Sequence, residues 1–173
     1  DLQTALRYLR NAKELDLYGV SNNLLLAEGF RSKLFYIHRN VNICRLPGNP
    51  KVQAAMSDET HCAILISYSG ETEFIIKVLK KKETPIIAIT CIANNRLSKI
   101  ADVTLRISSR EMLHTKIGDF ATTTSIKYLL DTLYAGIFSF DYQKNLDYKI
   151  QIAKAVDDRH SGYEFIDEDE FPQ

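Results

Sequence analysis

Two short apolar runs constrain the fold more than any other feature of the sequence. Residues 62–67 (CAILIS) and 85–90 (PIIAIT) contain no charged side chain and very few polar ones. A strand with such a run has both faces covered, which is the situation of a central strand in a parallel sheet. The sequence therefore predicts a parallel sheet that is buried under helices on both sides.

Segments with helical spacing alternate with these two strands and with three further strand candidates. The other strands are predicted at 15–20, 41–46 and 103–107, and the helices at 2–13, 22–39, 51–57, 71–82, 96–101, 119–140 and 143–156. Repeated strand–helix units with right-handed crossovers form a doubly wound sheet. We therefore predict an α/β fold, a three-layer α-β-α sandwich with a five-stranded parallel sheet, as one domain over residues 1–156. Asp16 is expected to be an edge or capping residue of the first strand.

The net charge of the chain is zero, but its charges are unevenly distributed. Residues 157–173 contain seven acidic residues and one Arg, so this segment carries −6 and residues 1–156 carry +6. Such a composition is typical of an acidic, disordered tail, although its side chains Tyr163, Phe165, Ile166 and Phe171 could dock on a surface. The mildly basic body suits small anionic ligands, and it lacks the polybasic arm that would indicate DNA binding.

Cysteine content and hydropathy exclude several classes of protein. Cys44, Cys62 and Cys91 lie in apolar runs without the spacing of a zinc site or a disulfide framework, which favours a reducing cytoplasm. No apolar stretch approaches the roughly 20 residues that a membrane helix needs. We therefore expect a cytoplasmic protein that uses no metal, no cofactor and no membrane. Because the sequence starts at Asp1 rather than Met, we also expect a piece of a longer chain.

The loop after the first apolar run is the strongest candidate for a ligand site. In a doubly wound sheet, ligands bind beyond the carboxyl ends of the strands, which points to loops 20–23, 67–72 and 90–95. Residues 67–72 (SYSGET) place three hydroxyl groups and a glycine where a helix begins. The unpaired N–H groups at a helix N-terminus favour an anion. The segment therefore predicts a phosphate site, and capping of the helix by the same hydroxyls is the structural alternative.

The same loop resembles the S-x-S-G-x-T signature of the sugar isomerase (SIS) domain family. Over residues 1–156 the chain is similar to the SIS domain of RpiR-type transcriptional regulators, whose N-terminal helix-turn-helix domain is absent from this sequence. The resemblance implies a flavodoxin-like fold and a phosphosugar ligand. It further implies that the phosphate is held by Ser67, Ser69, Gly70 and Thr72, and that the sugar is faced by Ser21, Asn22 and Asn23.

The first of these loops departs from the family pattern. The family usually has a Gly-x-Ser turn here, and in this chain Ser21 stands in the place of the glycine and Asn23 in that of the serine. Because Asn tolerates a positive φ better than most residues, we expect the turn to be kept.

The sequence thus favours a phosphosugar-binding effector domain of a transcriptional regulator of carbohydrate metabolism. We expect a homodimer formed through helices 1–13 and 119–140, with DNA bound only through the missing domain. One alternative is a phosphosugar aldose–ketose isomerase with Glu111 or His114 as the base, although such an i, i+3 pair is also ordinary on a helix surface. A second alternative is a structural dimerisation module whose pocket is vestigial.

Overall fold

Strands and helices alternate along the part of the chain that the computed structural model describes, residues 1–19, 21–45, 49–71, 73–112, 115 and 117–156, with only the backbone at 73 and 74. The strands are β1 (Glu14–Tyr18), β2 (Val41–Ile43), β3 (His61–Ile66), β4 (Ile86–Cys91) and β5 (Val103–Ile107). The helices are α1 (Leu2–Asn11), α2 (Asn22–Phe35), α3 (Asn49–Met56), α4 (Glu73–Lys80), α5 (Arg96–Ile100), α6 (Phe120–Phe140) and α7 (Tyr142–Val156). The predicted order of elements is confirmed, and the bounds differ by a few residues.

All five strands run parallel, in the spatial order β2-β1-β3-β4-β5. β1 and β3 are neighbours, with Leu17 opposite Ile64. The chain order reverses between them, since β2 lies on the far side of β1 whereas β4 and β5 follow β3. The connections that leave β1 and β3 therefore diverge, and the crevice between them is where a doubly wound sheet binds its ligand.

Helices cover both faces of this sheet, which confirms the predicted α/β sandwich. One face packs against α1, α2 and α6, and the other against α3, α4 and α5. β4 is buried along its whole length: Ile87 and Ile89 contribute to the first of these two layers of core, and Ile86 and Ala88 to the second. Because both of its faces need apolar side chains, the run that identified this strand is nearly unbroken.

The apolar stripe of α6 is covered by the chain itself, and the predicted dimer through helices 1–13 and 119–140 stays a prediction. Ile126, Leu130, Leu133 and Ile137 are buried within the chain, in the same core as Ala5 and Leu9 of α1. A helix that covers a sheet and a helix that pairs with another copy both carry an apolar stripe of 3.6-residue period. Periodicity alone therefore did not reveal that the partner of this stripe is the sheet of the same chain.

Asp16, expected at the edge of its strand or as a cap, is instead buried in the middle of β1. Its carboxylate accepts a hydrogen bond from Asn42 Nδ2 at 3.0 Å and another from the hydroxyl of Ser57. His61 Nδ1 lies 2.9 Å from the second carboxylate oxygen. These partners come from the strands on both sides and from the end of α3. They supply the polar contacts that a buried charge requires, and none of them is a sequence neighbour.

The last described helix, α7, lies against α6 and the end of α2. Asn145 Nδ2 donates to the carbonyl of Phe138 at 3.0 Å, and the ring of Tyr148 packs edge-on against His38, with 4.3 Å between centroids. The predicted acidic tail, residues 157–173, lies outside the described residues. The division of the chain at residue 156 stays a prediction.

Candidate functional site

The loops that leave β1 and β3 are adjacent, so the structure brings the first two predicted ligand loops together. Asn23 Nδ2 donates to the carbonyl of Ile66 at 3.4 Å, across the end of the sheet. A side chain at Gly19 would meet Asn23 Cβ at 3.2 Å and the carbonyl of Ile66 at 3.7 Å. The absence of a side chain at residue 19 therefore lets the start of α2 approach the loop that follows β3.

Ser21 has an unusual backbone conformation, with φ of 53° and ψ of −130°. We expected the turn to be kept because it contains asparagines, but the residue with positive φ is Ser21, which stands in the place of the family's glycine. A residue with a side chain in such a region costs about 1–3 kcal/mol. The glycine that the family usually carries at this point would adopt the same angles with less strain.

The loop after β3 folds back on itself through its serine and glycine. Ser67 is buried, and its Oγ accepts a hydrogen bond from the backbone N–H of Gly70 at 3.1 Å. Gly70 has φ of +73°, a conformation that favours glycine. Ser69 is half-buried between these two residues. Thr72, the third predicted hydroxyl, lies outside the described residues.

The loop after β4 holds the loop after β3 in place through Asn95, a residue that the sequence analysis did not single out. A Cβ atom at Gly70 would lie 2.2 Å from the side chain of Asn95, so the two residues are in direct contact. Asn95 Nδ2 donates to Thr90 Oγ1 at 2.8 Å. Thr90 is fully buried, and its hydroxyl lies 3.3 Å from the carbonyl of Tyr68, to which it donates. Leu97 N also donates to the carbonyl of Gly70 at 3.0 Å.

Part of the role of Asn95 could have been found in the sequence. Asn95 and Ser98 form a reciprocal capping box at the start of α5, and the spacing of a capping box is visible in a sequence. The contact with Gly70 is not visible there, because it joins residues on different loops.

Glu111, the candidate base of the isomerase alternative, caps the N-terminus of α6. Its carboxylate accepts hydrogen bonds from the backbone N–H groups of Ala121 and Thr122, the latter at 3.2 Å, and from the Thr122 hydroxyl. A carboxylate is favoured there because it meets unpaired N–H groups and the positive end of the helix dipole. Glu111 is therefore more than a surface residue. His114, its predicted companion, lies outside the described residues.

The N-terminus of α6 contacts the loop after β1 directly and the loop after β3 through Glu111. Asn22 Nδ2 donates to Asp119 Oδ2 at 2.7 Å and to Thr123 Oγ1 at 3.3 Å. Tyr68 donates its hydroxyl proton to the backbone carbonyl of Glu111 at 2.6 Å. Burial raises the pKa of Tyr68, and Cys91 and Glu111 add to this, so the phenol stays protonated and remains a donor. The start of α6, together with the Glu111 that caps it, thus joins the loop after β1 to the loop after β3.

Charges around the site are largely paired. Glu71, which directly follows Gly70, is exposed, and its carboxylate lies 3.6 Å from Arg96 Nε. This contact turns the acid toward α5 and reduces its repulsion of an anion on the loop. Within the described ranges, no three His, Cys, Asp or Glu residues come together as a metal site would require. None of the helices described is both long and apolar enough to cross a membrane.

Together these features define a class of protein: a doubly wound α/β domain with a turn of hydroxyl groups and a positive-φ glycine at its switch point, where folds of this kind bind small ligands. The family model of the SIS domain matches residues 8–130. The chain belongs to the SIS domain family.

Two curated relatives are regulators of transcription. An uncharacterized HTH-type transcriptional regulator of Clostridium perfringens is 23% identical over 151 residues, which are 86% of this chain and 54% of the relative. An uncharacterized HTH-type transcriptional regulator of Haemophilus influenzae is 26% identical over 137 residues, which are 78% of this chain and 47% of the relative. The chain thus spans about half the length of the curated relatives it matches.

Solved structures with the same fold include a transcription factor, a protein complexed with ManNAc-6P and a protein with an inferred isomerase function. Vibrio vulnificus NanR, complexed with ManNAc-6P, is 20% identical with a TM-score of 0.78, covering 90% of this chain and 59% of that one. The sugar isomerase domain of the Sphaerobacter thermophilus RpiR transcription factor is 15% identical with a TM-score of 0.74. The match covers 88% of this chain and 85% of that one. A hypothetical Methanococcus jannaschii protein, inferred to be a 3-hexulose-6-phosphate isomerase, is 20% identical with a TM-score of 0.66. The match covers 85% of this chain and 82% of that one.

Proposed function

We propose that this chain is the phosphosugar-binding effector domain of a cytoplasmic regulator of carbohydrate metabolism, in which a separate helix-turn-helix domain binds DNA. The observation that carries the proposal is the turn after β3, where Ser67, Ser69 and a positive-φ Gly70 lie at the switch point of the sheet. The named relatives support the regulatory role, since both are HTH-type regulators. The NanR structure supports a phosphorylated amino sugar or a similar sugar as the ligand class.

In this proposal the phosphate lies on the turn after β3 and the sugar lies toward the first loop. Ser67 Oγ accepts a bond from Gly70 N, but a hydroxyl that accepts one bond still has its own proton to donate. Ser67, Ser69 and Thr72 therefore supply donors to the phosphate, and Gly70, whose N–H is bound to Ser67, shapes the turn that holds it. The side chains of Ser21, Asn22 and Asn23 recognise the sugar hydroxyls.

Regulation then requires that the ligand bind one arrangement of the protein better than another, because only differential affinity shifts an equilibrium. We propose that the two arrangements are those of a homodimer with different affinities for DNA. Size-exclusion chromatography with light scattering, with and without ligand, tests the dimer directly.

The first experiment is thermal unfolding of the purified chain against a panel of aldose and ketose phosphates, followed by calorimetric titration of any ligand that stabilises it. At about 100 times the dissociation constant, a ligand that binds only the folded state adds roughly 2.7 kcal/mol. Ser69→Ala should weaken binding several-fold or more, whereas Ser139→Ala, an exposed serine near the other end of α6, should not. Unchanged affinity in Ser69→Ala would remove that serine from the site. Stabilisation by no member of the panel would favour the structural module.

An isomerase is the second candidate function, because a structural neighbour is inferred to be one. The contacts of Glu111 speak against it as a base, since donors from α6 approach both carboxylate oxygens. Incubation with each aldose and ketose phosphate, followed by analysis of the products, separates the two candidates. Turnover that Glu111→Gln abolishes would defeat the regulator proposal, and binding without turnover would support it.

A further inference from the structure

A surface at the open edge of β2 carries features that the proposed ligand site does not use. Among the described strands, β2 pairs only with β1. A cavity of about 630 Å³ lies on the α3 side of this edge and another of about 430 Å³ on the α2 side, and Arg31 and Val41 line both. We call this region the β2-edge surface.

Large apolar side chains stand exposed around the β2-edge surface. Val52 and Met56 on α3 are 56% and 76% exposed, and Phe35 at the end of α2 is 73% exposed, with Tyr36 beside it. Each of these residues lines one of the two cavities. An open strand edge flanked by exposed apolar side chains is a surface that favours association with another polypeptide segment.

The rim of the same surface is basic. Arg31 and Arg45 both pair with the single carboxylate of Glu28, so two cations share one negative charge. The side chains of these arginines are 49% and 63% exposed. A segment that binds here should therefore combine apolar side chains with negative charge.

We propose that the segment 157–173 of the same chain docks on the β2-edge surface. This segment carries a net charge of −6 and has apolar residues at Tyr163, Phe165, Ile166 and Phe171. Glu164 and Asp167 directly flank Phe165 and Ile166. The apolar pair contacts Val52 and Met56, and the flanking carboxylates reach the arginines of the rim.

The course of α7 makes this docking geometrically feasible. Tyr148 packs on His38, which lies three residues before β2 begins. α7 ends at Val156, eight residues or about 12 Å of helix beyond that contact. The 17 residues that follow can span up to roughly 55 Å when extended. The segment therefore follows a helix that contacts the chain just ahead of β2, and it is long enough to cross the β2-edge surface.

A tryptophan reporter tests the docking cleanly, because the chain has no Trp. Phe165→Trp in the full chain gives a single fluorophore, and the peptide 157–173 with the same substitution gives the reference spectrum of the undocked segment. We expect emission at shorter wavelength in the full chain than in the peptide, and a return to the peptide spectrum when Val52→Glu and Met56→Glu are added. Ile92→Glu, at a residue that is 72% exposed on the loop after β4, is the matched control and should leave the emission shifted.

The charges and a second reporter complete the test. Arg31→Glu with Arg45→Glu, or high salt, should reduce the shift, since screening weakens exposed ion pairs. Phe171→Trp repeats the measurement at the other end of the segment, in case Phe165→Trp itself disturbs docking. Emission equal to that of the peptide with both reporters would overturn the proposal. A shift that disappears on dilution would overturn it too, because it would assign the surface to a second copy of the chain.

Discussion

At the scale of single residues, the backbone conformations of Ser21 and Gly70 shape the two loops of the candidate site. Ser21 and Gly70 both have positive φ, at the ends of neighbouring strands. Gly70 suits that conformation, and Ser21 does not. The two loops of the candidate site thus differ in how much strain they contain.

We predict that Ser21→Gly stabilises the protein by about 1 kcal/mol, because glycine removes the cost of a side chain at φ of 53°. Urea unfolding followed by circular dichroism measures the change. Ser32→Gly is the control, since Ser32 lies in the interior of α2, where glycine is unfavourable. Loss of stability in both variants would mean that Ser21 is not strained.

Gly70→Ala should destabilise the protein by about 1–3 kcal/mol, because its φ is +73° and its Cβ would overlap the Asn95 side chain. Phosphosugar affinity should fall in the same variant. Gly29→Ala is the matched control, since its Cβ would meet nothing within 4 Å and it lies in α2, so alanine there should stabilise by up to about 1 kcal/mol. Equal effects of the two substitutions would contradict this account of Gly70.

At the scale of elements, the start of α5 supports the loop after β3. Asn95 caps α5 with one end of its amide and reaches Thr90 with the other, while its side chain lies against Gly70. Asn95 therefore contacts both the start of this short helix and the turn after β3. A substitution in the cap of α5 should therefore also alter the ligand loop after β3.

Asn95→Ala should cost about 1 kcal/mol of stability through the lost cap and should also weaken phosphosugar binding. Ser98→Ala removes the other half of the capping box without touching Gly70, so it should reduce stability with little effect on binding. Thermal unfolding and calorimetric titration of both variants make the comparison. If both variants lost the same amount of phosphosugar affinity, the cap of α5, and not the contact of Asn95 with Gly70, would be what supports the loop.

The sequence was a good guide to elements and a poor one to the contacts between them. The apolar runs at 62–67 and 85–90 became β3 and β4, because strands buried on both faces leave a local signature. Glu111 caps a helix that begins nine positions later, and Asn22 donates to Asp119 across 97 positions. Such pairs depend on how the loops meet at the edge of the sheet. Asp16 was misjudged for the same reason, since its partners lie on other elements.

At the scale of the whole molecule, α6 connects the candidate site to the rest of the domain. Its first turn is bound to Asn22 and Glu111, and Glu111 in turn accepts a hydrogen bond from Tyr68. Its buried face packs in the same core as α1 and α2. The two ligand loops therefore share one anchor, and their contributions to binding should depend on each other.

A double-mutant cycle tests this shared anchor. Asn22→Ala removes the two hydrogen bonds from the first ligand loop to Asp119 and Thr123, and Tyr68→Phe removes the one from the second ligand loop to Glu111. We expect their effects on phosphosugar affinity to be non-additive by about 0.5 kcal/mol or more, as is typical of residues in one network. Asn22→Ala combined with Ser139→Ala is the control pair and should be additive. Additivity in both pairs would mean that the loops act independently.

The packing of α1 on α6 links α1 to the candidate site. Leu6 lies so close to Gly136 that an added Cβ would be 2.4 Å from its side chain, and Gly136 stands near the opposite end of α6 from Asn22 and Glu111. A helix of 21 residues is about 31 Å long and bends little. α6 is therefore one continuous element between the first turn, which contacts Asn22 and Glu111, and the point where α1 packs.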